Sequence, residues 1–288
     1  MKKLRVALLG TSHPHAVGFY RACAEFPDEI ELIGYADVPP YDRQDPEQKA
    51  KTNLGEEAMR TVPHFADYRA LLDLQPDLAL VSTDNKAHAD IACETLGRKI
   101  ATMVEKPMAM NPAECEKMIA AAKKNKVKLA VGFQQRYNPH TQVLINARDK
   151  GQFGKIMFVK CQALRRRGIP NWGVFGQKEL QGGGPMIDIG VHILESAYEF
   201  MGAPKPVAAS GNVWTYFGNK PSTTRNAWPN WDYKTYTVED LAIGQIRFDN
   251  GAILQIESSF VAHIPKNDIF NFTAMGEKGG CSWETGEI

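Results

Sequence analysis

Short, largely apolar runs recur through the first half of the chain, each succeeded by a polar turn and then by a stretch with helical spacing. The runs are Val6-Ala7-Leu8-Leu9, Ile30 to Ala36, Leu78-Ala79-Leu80-Val81, Ile100 to Val104 and Lys128 to Phe133. A strand that is apolar at consecutive positions has to be covered on both faces, as in a parallel sheet flanked by helices. Strands and helices alternating at these intervals predict a doubly wound parallel sheet. The helices between them carry their own punctuation. Gly97 is expected to stop the helix over Ala87 to Leu96. Asn111, Pro112 and Glu114 read as N-cap, first helical residue and capping-box acid of the next.

In such a sheet, ligands gather at the carboxyl ends of the strands, so the residues just after each run matter most. Gly10-Thr11-Ser12-His13-Pro14-His15 comes after the first run. A dinucleotide-binding G-x-G-x-x-G turn would place glycines at 10, 12 and 15. Gly10 fits, Ser12 is small and can donate to a phosphate, and His15 is the larger departure. Asp37 ends the second run, where an acid holds an adenosine ribose 2′-hydroxyl; a turn-forming aspartate is the other reading. The pair His13 and His15 has a metal-binding look, but no carboxylate or cysteine set accompanies it in the sequence, so no metal is expected. From Val38 to Asn53 the chain reads as an irregular polar loop. Met103-Val104 runs into Glu105-Lys106-Pro107, and a proline cannot continue a ladder, so two opposite charges stand at the strand end. They are either part of a ligand crevice or an ordinary solvated pair.

Bulk properties narrow the function classes. With 43% hydrophobic residues over 288 positions, the chain can build two ordinary domains. A net charge of +1 gives no field to draw nucleic acid or an anionic membrane. Five scattered cysteines without a C-x-x-C pair read as reduced thiols of a cytoplasmic protein. No stretch suits a signal peptide or a membrane span.

Beyond Arg136 the pattern changes. A helix is expected from His140 to Asp149, then a strand over Gly154 to Lys160. Arg165-Arg166-Arg167 comes next, either an exposed strand end or the source of one arginine turned towards a ligand. Gly182-Gly183-Gly184 leaves room for another surface to approach closely. A helix from Pro185 to Met201 would then place Asp188 and His192 four residues apart on one face. The remainder reads as antiparallel strands, with Asp249-Asn250-Gly251 joining Leu241 to Phe248 and Ala252 to Phe260 in a hairpin, and Asn271 to Met275 as a further strand. Residues 214 to 236 form an aromatic-rich loop.

Four blocks resemble the glucose–fructose oxidoreductase / inositol dehydrogenase / MocA (Gfo/Idh/MocA) family. Thr83-Asp84-Asn85 with His88 is similar to its T-P-N-x-x-H segment, with Asp84 in the proline position. Glu105-Lys106-Pro107 is its E-K-P. Gly182 to His192 resembles its G-G-G-x-x-x-D-x-G-x-H, and Val238-Glu239-Asp240 with the Asn250-Gly251 hairpin its C-terminal strand pattern. The resemblance implies a Rossmann domain over 1–135 and, over 136–288, an α+β domain with an open antiparallel sheet for substrate and oligomerisation; relatives usually continue beyond Gly280. It further implies an NAD- or NADP-dependent oxidoreductase that moves a hydride to or from a secondary alcohol of a sugar or cyclitol. Lys106, Asp188 and His192 would be the catalytic set. Gly10, Thr11, Ser12, His13, His15, Asp37, Ser82, Thr83, Asn85, His88, Glu105 and Lys106 would face the cofactor, with Asp37 favouring NAD. A homodimer or homotetramer is expected. The family also holds glycosidases that retain NAD and non-catalytic sensors of sugars or dinucleotides, which stay open as alternatives.

Overall fold

Consecutive residues of the first strand feed opposite sides of its sheet: Val6 and Leu8 join one buried cluster, Ala7 and Leu9 another. That is how an unbroken apolar run is satisfied, and it locates the strand at the centre of a sheet covered twice. The computed structural model describes residues 2–38, 54–221, 228 and 231–288. The expected loop from Val38 to Asn53 lies, apart from Val38, outside the described residues, as do Pro39 and Arg43. The chain divides into two compact units, Met1–Gly132 and Phe133–Ile288.

In the first unit, strands β1 (Leu4–Leu9), β2 (Ile30–Ala36), β3 (His64–Phe65), β4 (Leu78–Val81), β5 (Ala101–Val104) and β6 (Leu129–Val131) form a sheet of order β3-β2-β1-β4-β5-β6. Every pairing is parallel. Helices α1 (Ala16–Glu25), α2 (Glu56–Thr61), α3 (Tyr68–Leu72), α4 (Asn85–Gly97) and α5 (Pro112–Asn125) connect them. The order reverses between β1 and β4, so the turn after β1 opens at the switch point, where doubly wound sheets take their ligands. Asn111 caps α5 by accepting from the Glu114 amide at 3.0 Å, and Glu114 reaches back to the Met110 amide at 3.1 Å. Gly97 does not stop α4 as expected. The helix includes it, and the left-handed residue is Lys99, at φ +63°. β6 is shorter than its apolar run.

The second unit opens with a 3₁₀ turn (Gln134–Tyr137) and α6 (Pro139–Asp149). It continues through β7 (Ile156–Arg165), α7 (Lys178–Gln181), a π-turn (Met186–Gly190) and α8 (Val191–Phe200). The strands β8 (Pro206–Trp214), β9 (Leu241–Phe248), β10 (Ile253–Ser259), β11 (Asp268–Gly276) and β12 (Gly280–Ser282) complete it. The sheet order is β12-β11-β7-β10-β9-β8. It is mixed rather than purely antiparallel, because β7 and β10 run side by side in parallel. The hairpin forms as expected, with Gly251 at φ +84° and Asn250 Oδ1 accepting from the Ala252 amide at 3.0 Å. Strand β8 is not evident in the sequence: its residues are exposed at almost every position, so no alternation marks it. Helices α6 and α8 cover one sheet face through Leu144, Ile193, Ala197 and Phe200, which pack with Val159, Leu254 and Phe272. On the other face, Ile243, Ile253 and Met275 are exposed.

Candidate active site

At the end of β1 the chain must turn sharply against the end of β4. Gly10 takes φ +80°, and a Cβ there would meet Thr83 Cγ2 at 2.2 Å and the Ser82 carbonyl at 3.2 Å. The His13 amide donates to that same carbonyl at 3.3 Å. Thr11, Ser12 and His13, with Ser82, Thr83 and Asn85, are buried. The Ser82 hydroxyl is buried with no hydrogen-bond partner among the described residues, which suits an edge that receives a polar ligand. Asp37 ends β2 at the same edge. His64 Nε2 lies 3.0 Å from its Oδ2. Sequence reasoning misses His64; its isolated place on a two-residue strand carries no pattern that could show it.

The strand end after β5 is a buried polar knot. Glu105 and Lys106 are each 3% exposed, which a solvated charge pair would not be. Glu105 Oε2 accepts from the Lys106 amide at 3.1 Å, and Oε1 lies 3.2 Å from His15 Nδ1. His88, fully buried, sits between two carbonyls, with Nδ1 at 2.9 Å from Pro107 O and Nε2 at 3.3 Å from Thr83 O. A neutral imidazole has one N–H, so the shorter contact is the donated bond and holds the segment that carries Lys106. Burial depresses the His88 pKa from its ordinary 6.5. Its folded state therefore binds fewer protons than the unfolded chain, and stability is fully present above about pH 6.5 and falls as the pH drops towards the depressed value. His88→Gln should flatten this acid loss in melts taken between about pH 7 and 5; equal slopes in both proteins would contradict it.

In the second unit the glycine run does meet another surface, and that surface is the segment at Glu239. Gly182 is at φ +84°, and a Cβ on Gly184 would stand 2.0 Å from the Glu239 carbonyl oxygen. The Glu239 carboxylate accepts from the Gly184 amide at 2.8 Å and the Met186 amide at 3.3 Å. The continuous α-helix expected from Pro185 does not form. Met186–Gly190 is a π-turn instead, and α8 begins at Val191. Asp188 lies in the wider turn and His192 in the first turn of α8, both buried, so the four-residue spacing does not carry ordinary α-helical geometry. Gly190 lets this turn rest on β10, where Ser258 Oγ donates to Pro185 O at 2.8 Å. The His192 ring meets Phe133 edge-on, centroids 6.3 Å apart.

Arg165 turns inward. Its guanidinium lies over Trp228 and Phe260 at 5.1 and 5.6 Å, donates to Gly168 O at 3.2 Å, and feels the charge of Asp188. Burial lowers its pKa, against the opposing effect of Asp188 and Asp268. Within the expected aromatic loop, Asp240 fastens the chain by accepting from the amides of Tyr216, Phe217 and Gly218. Lys106 belongs to the first unit, Asp188 and His192 to the second.

Residues 41–133 match the oxidoreductase family with an NAD-binding Rossmann fold, and residues 142–282 match the C-terminal domain of the same family. The chain belongs to the Gfo/Idh/MocA oxidoreductase family. Among its relatives is D-glucoside 3-dehydrogenase of Escherichia coli (strain K12), 38% identical over 74% of this chain and 60% of that protein. Inositol 2-dehydrogenase of Salmonella typhimurium (strain LT2) is 30% identical over 38% of this chain and 33% of its own length. The chain thus spans less than two thirds of these curated relatives. A solved levoglucosan dehydrogenase in complex with NADH superposes with a TM-score of 0.78, at 23% identity over 98% of this chain and 73% of its own. At that identity the likeness is one of fold. Among the described residues no helix is long and apolar enough to cross a membrane.

Proposed function

We propose that this Gfo/Idh/MocA chain is an NAD-dependent oxidoreductase acting on a secondary alcohol of a sugar or cyclitol. One observation carries the reading. At the switch point of a parallel sheet, the Gly10 turn, the buried Ser82 hydroxyl, Asp37 and the Glu105-Lys106 knot all stand at the carboxyl edge. These residues fit a dinucleotide: a side-chain-free position for close approach, hydroxyls for phosphate or ribose oxygens, and an acid for the ribose 2′-hydroxyl. Thr11, Ser12, His13, His15, Thr83, Asn85 and His88 complete the proposed cofactor edge. When bound, NAD supplies the hydride acceptor.

The protein's own groups manage the proton and the charge. In this proposal His192 takes the hydroxyl proton, since an imidazole titrates near neutral pH. Lys106 stabilises negative charge developing on the same oxygen, and its near-complete burial makes that charge count for more than it would in water. Asp188 steadies the imidazolium or holds a neighbouring hydroxyl, and it acts electrostatically on Arg165. The names of the sugar and cyclitol dehydrogenases among the relatives support this substrate class.

The test is a panel of sugars and cyclitols with NAD and with NADP, followed at the reduced nicotinamide absorbance. NAD should be preferred, because Asp37 accepts from a 2′-hydroxyl and repels a 2′-phosphate. His64 holds one oxygen of that carboxylate and so fixes its direction. Asp37→Ala should weaken NAD by roughly 10–100-fold, the worth of a hydrogen bond to a charged group. Turnover with NADP equal to that with NAD, or none with any substrate, would count against the proposal. We further read the exposed sheet face with Ile243, Ile253 and Met275 as a subunit contact of a homodimer or homotetramer; a monomer in light scattering would refute it. Five thiols outside any disulfide support a reducing, cytoplasmic setting.

A further inference from the structure

We propose that His13, His15 and Glu105 form a binding site for a divalent transition-metal ion of the Zn²⁺ kind. One ligand atom from each of the three lies within 4.8 Å of the others. His15 Nδ1 and Glu105 Oε1 are 3.2 Å apart, and the His13 and His15 rings meet edge-on with centroids 4.4 Å apart. A tetrahedral ion with bonds of about 2.0–2.1 Å holds its ligands roughly 3.3 Å apart, so the His15–Glu105 pair already has the required spacing. Only the third ligand must close in, and the flat energy of a histidine χ2 torsion permits that.

The donor set selects the ion. Two imidazoles and one carboxylate suit Zn²⁺, Co²⁺ or Fe²⁺ and discriminate against Mg²⁺ and Ca²⁺, which demand oxygen ligands. The setting is that of a built site. His13 and Glu105 are buried, whereas the His15 side chain is 47% exposed, which leaves a way in and room for water as a further ligand. The carboxylate is oriented from behind, because Glu105 Oε2 accepts from the Lys106 amide at 3.1 Å while Oε1 faces His15. Such support is what fixes a metal-binding carboxylate. Binding has a cost as well. The His15 amide donates to His13 Nδ1 at 3.2 Å, and an ion on that ring has to replace this contact or share the ring with it. An ion competes with protons for imidazole and carboxylate ligands in general, so uptake weakens as the pH falls.

All three ligands lie in one unit and also belong to the proposed cofactor edge, so an ion there competes with the dinucleotide; a titration without nucleotide reads the ion site apart from the hydride-transfer reading. The experiment is calorimetric titration of the metal-stripped full chain with Zn²⁺, without nucleotide, near pH ~7 and again near pH ~5 on either side of the ordinary histidine pKa. One equivalent should bind at the higher pH and far less at the lower. His15→Ala and Glu105→Gln should each weaken binding at least about tenfold, the lower bound set by what supporting residues alone contribute. His64→Ala, which removes the His64–Asp37 pair, should leave Zn²⁺ affinity unchanged. In the unsubstituted protein, the imidazole NMR signals of His13 and His15 should move on adding Zn²⁺, a readout that no folding defect can obscure. Absence of Zn²⁺ uptake, unchanged affinity in both ligand variants, loss in His64→Ala, or unmoved His13 and His15 signals would each overturn the proposal and leave a simple His15–Glu105 contact.

Discussion

Replacing His192 by alanine should lower kcat on a sugar or cyclitol substrate by about 10²–10⁴-fold, the usual worth of a positioned general base. NAD affinity should change little, because His192 belongs to the second unit and not to the Rossmann unit. Lys106→Met should cut kcat as well and weaken substrate binding, since Lys106 is buried and, in the mechanism we propose, its charge stabilises the reacting oxygen. A purely structural role makes a different forecast. His192 is buried in the first turn of α8 against Phe133, so a packing residue would lose melting temperature and keep the turnover of its folded fraction. Turnover and melting temperature measured on the same His192→Ala preparation separate the two. Near-normal turnover in a folded variant would remove His192 from the mechanism and favour a sensor over an enzyme.

Gly184→Ala should be among the most damaging single-methyl changes in the chain. The added Cβ would lie 2.0 Å from a backbone oxygen, that of Glu239, and a backbone atom cannot rotate away as a side-chain tip can. Relief requires the Glu239 segment to withdraw, which would also loosen the carboxylate that accepts from the Gly184 and Met186 amides. Overpacking of this kind costs about 1–3 kcal/mol or more. The π-turn that carries Asp188 begins two residues on, so kcat of the folded protein should fall too. Gly183→Ala is the control. Its Cβ would first meet Ile187 Cγ2 at 3.3 Å, a side-chain atom that can give way. Thermal melts showing Gly184→Ala as stable as the native chain, or no worse than Gly183→Ala, would show that the close approach is not a constraint.

Much of this architecture arises from local residue patterns. β1, β2 and β4 are legible because a strand covered on both faces carries apolar residues at consecutive positions, as at Val6 to Leu9, Ile33 to Ala36 and Leu78 to Val81, and that signature needs no knowledge of its neighbours. The α5 cap is legible because Asn111, Pro112 and Glu114 act on amides within four residues of themselves. The same holds for the turn at Asn250-Gly251. Family resemblance, carried by E-K-P and the glycine-rich block, supplies the candidate chemistry beyond what spacing alone supports.

Other features are settled only when distant segments meet. β8 is a strand because β9 offers it a ladder; its own residues, exposed almost throughout, carry no periodicity. The parallel pairing of β7 with β10 joins residues about a hundred positions apart, and nothing in either strand specifies its neighbour's direction. The π-turn before α8 is held on one side by Glu239, at the Gly184 and Met186 amides, and on the other by Ser258, at the Pro185 carbonyl, contacts that spacing along the helix cannot reveal. Most telling is the carboxylate at His15. Along the chain, His13 and His15 have no acidic companion, and that absence argues against a metal. The fold brings Glu105 to 3.2 Å from His15 across a separation of 90 residues. Helix caps and turns act within a few residues and can be read in order, whereas a ligand set is defined by distances in space, which the folded sheet alone establishes.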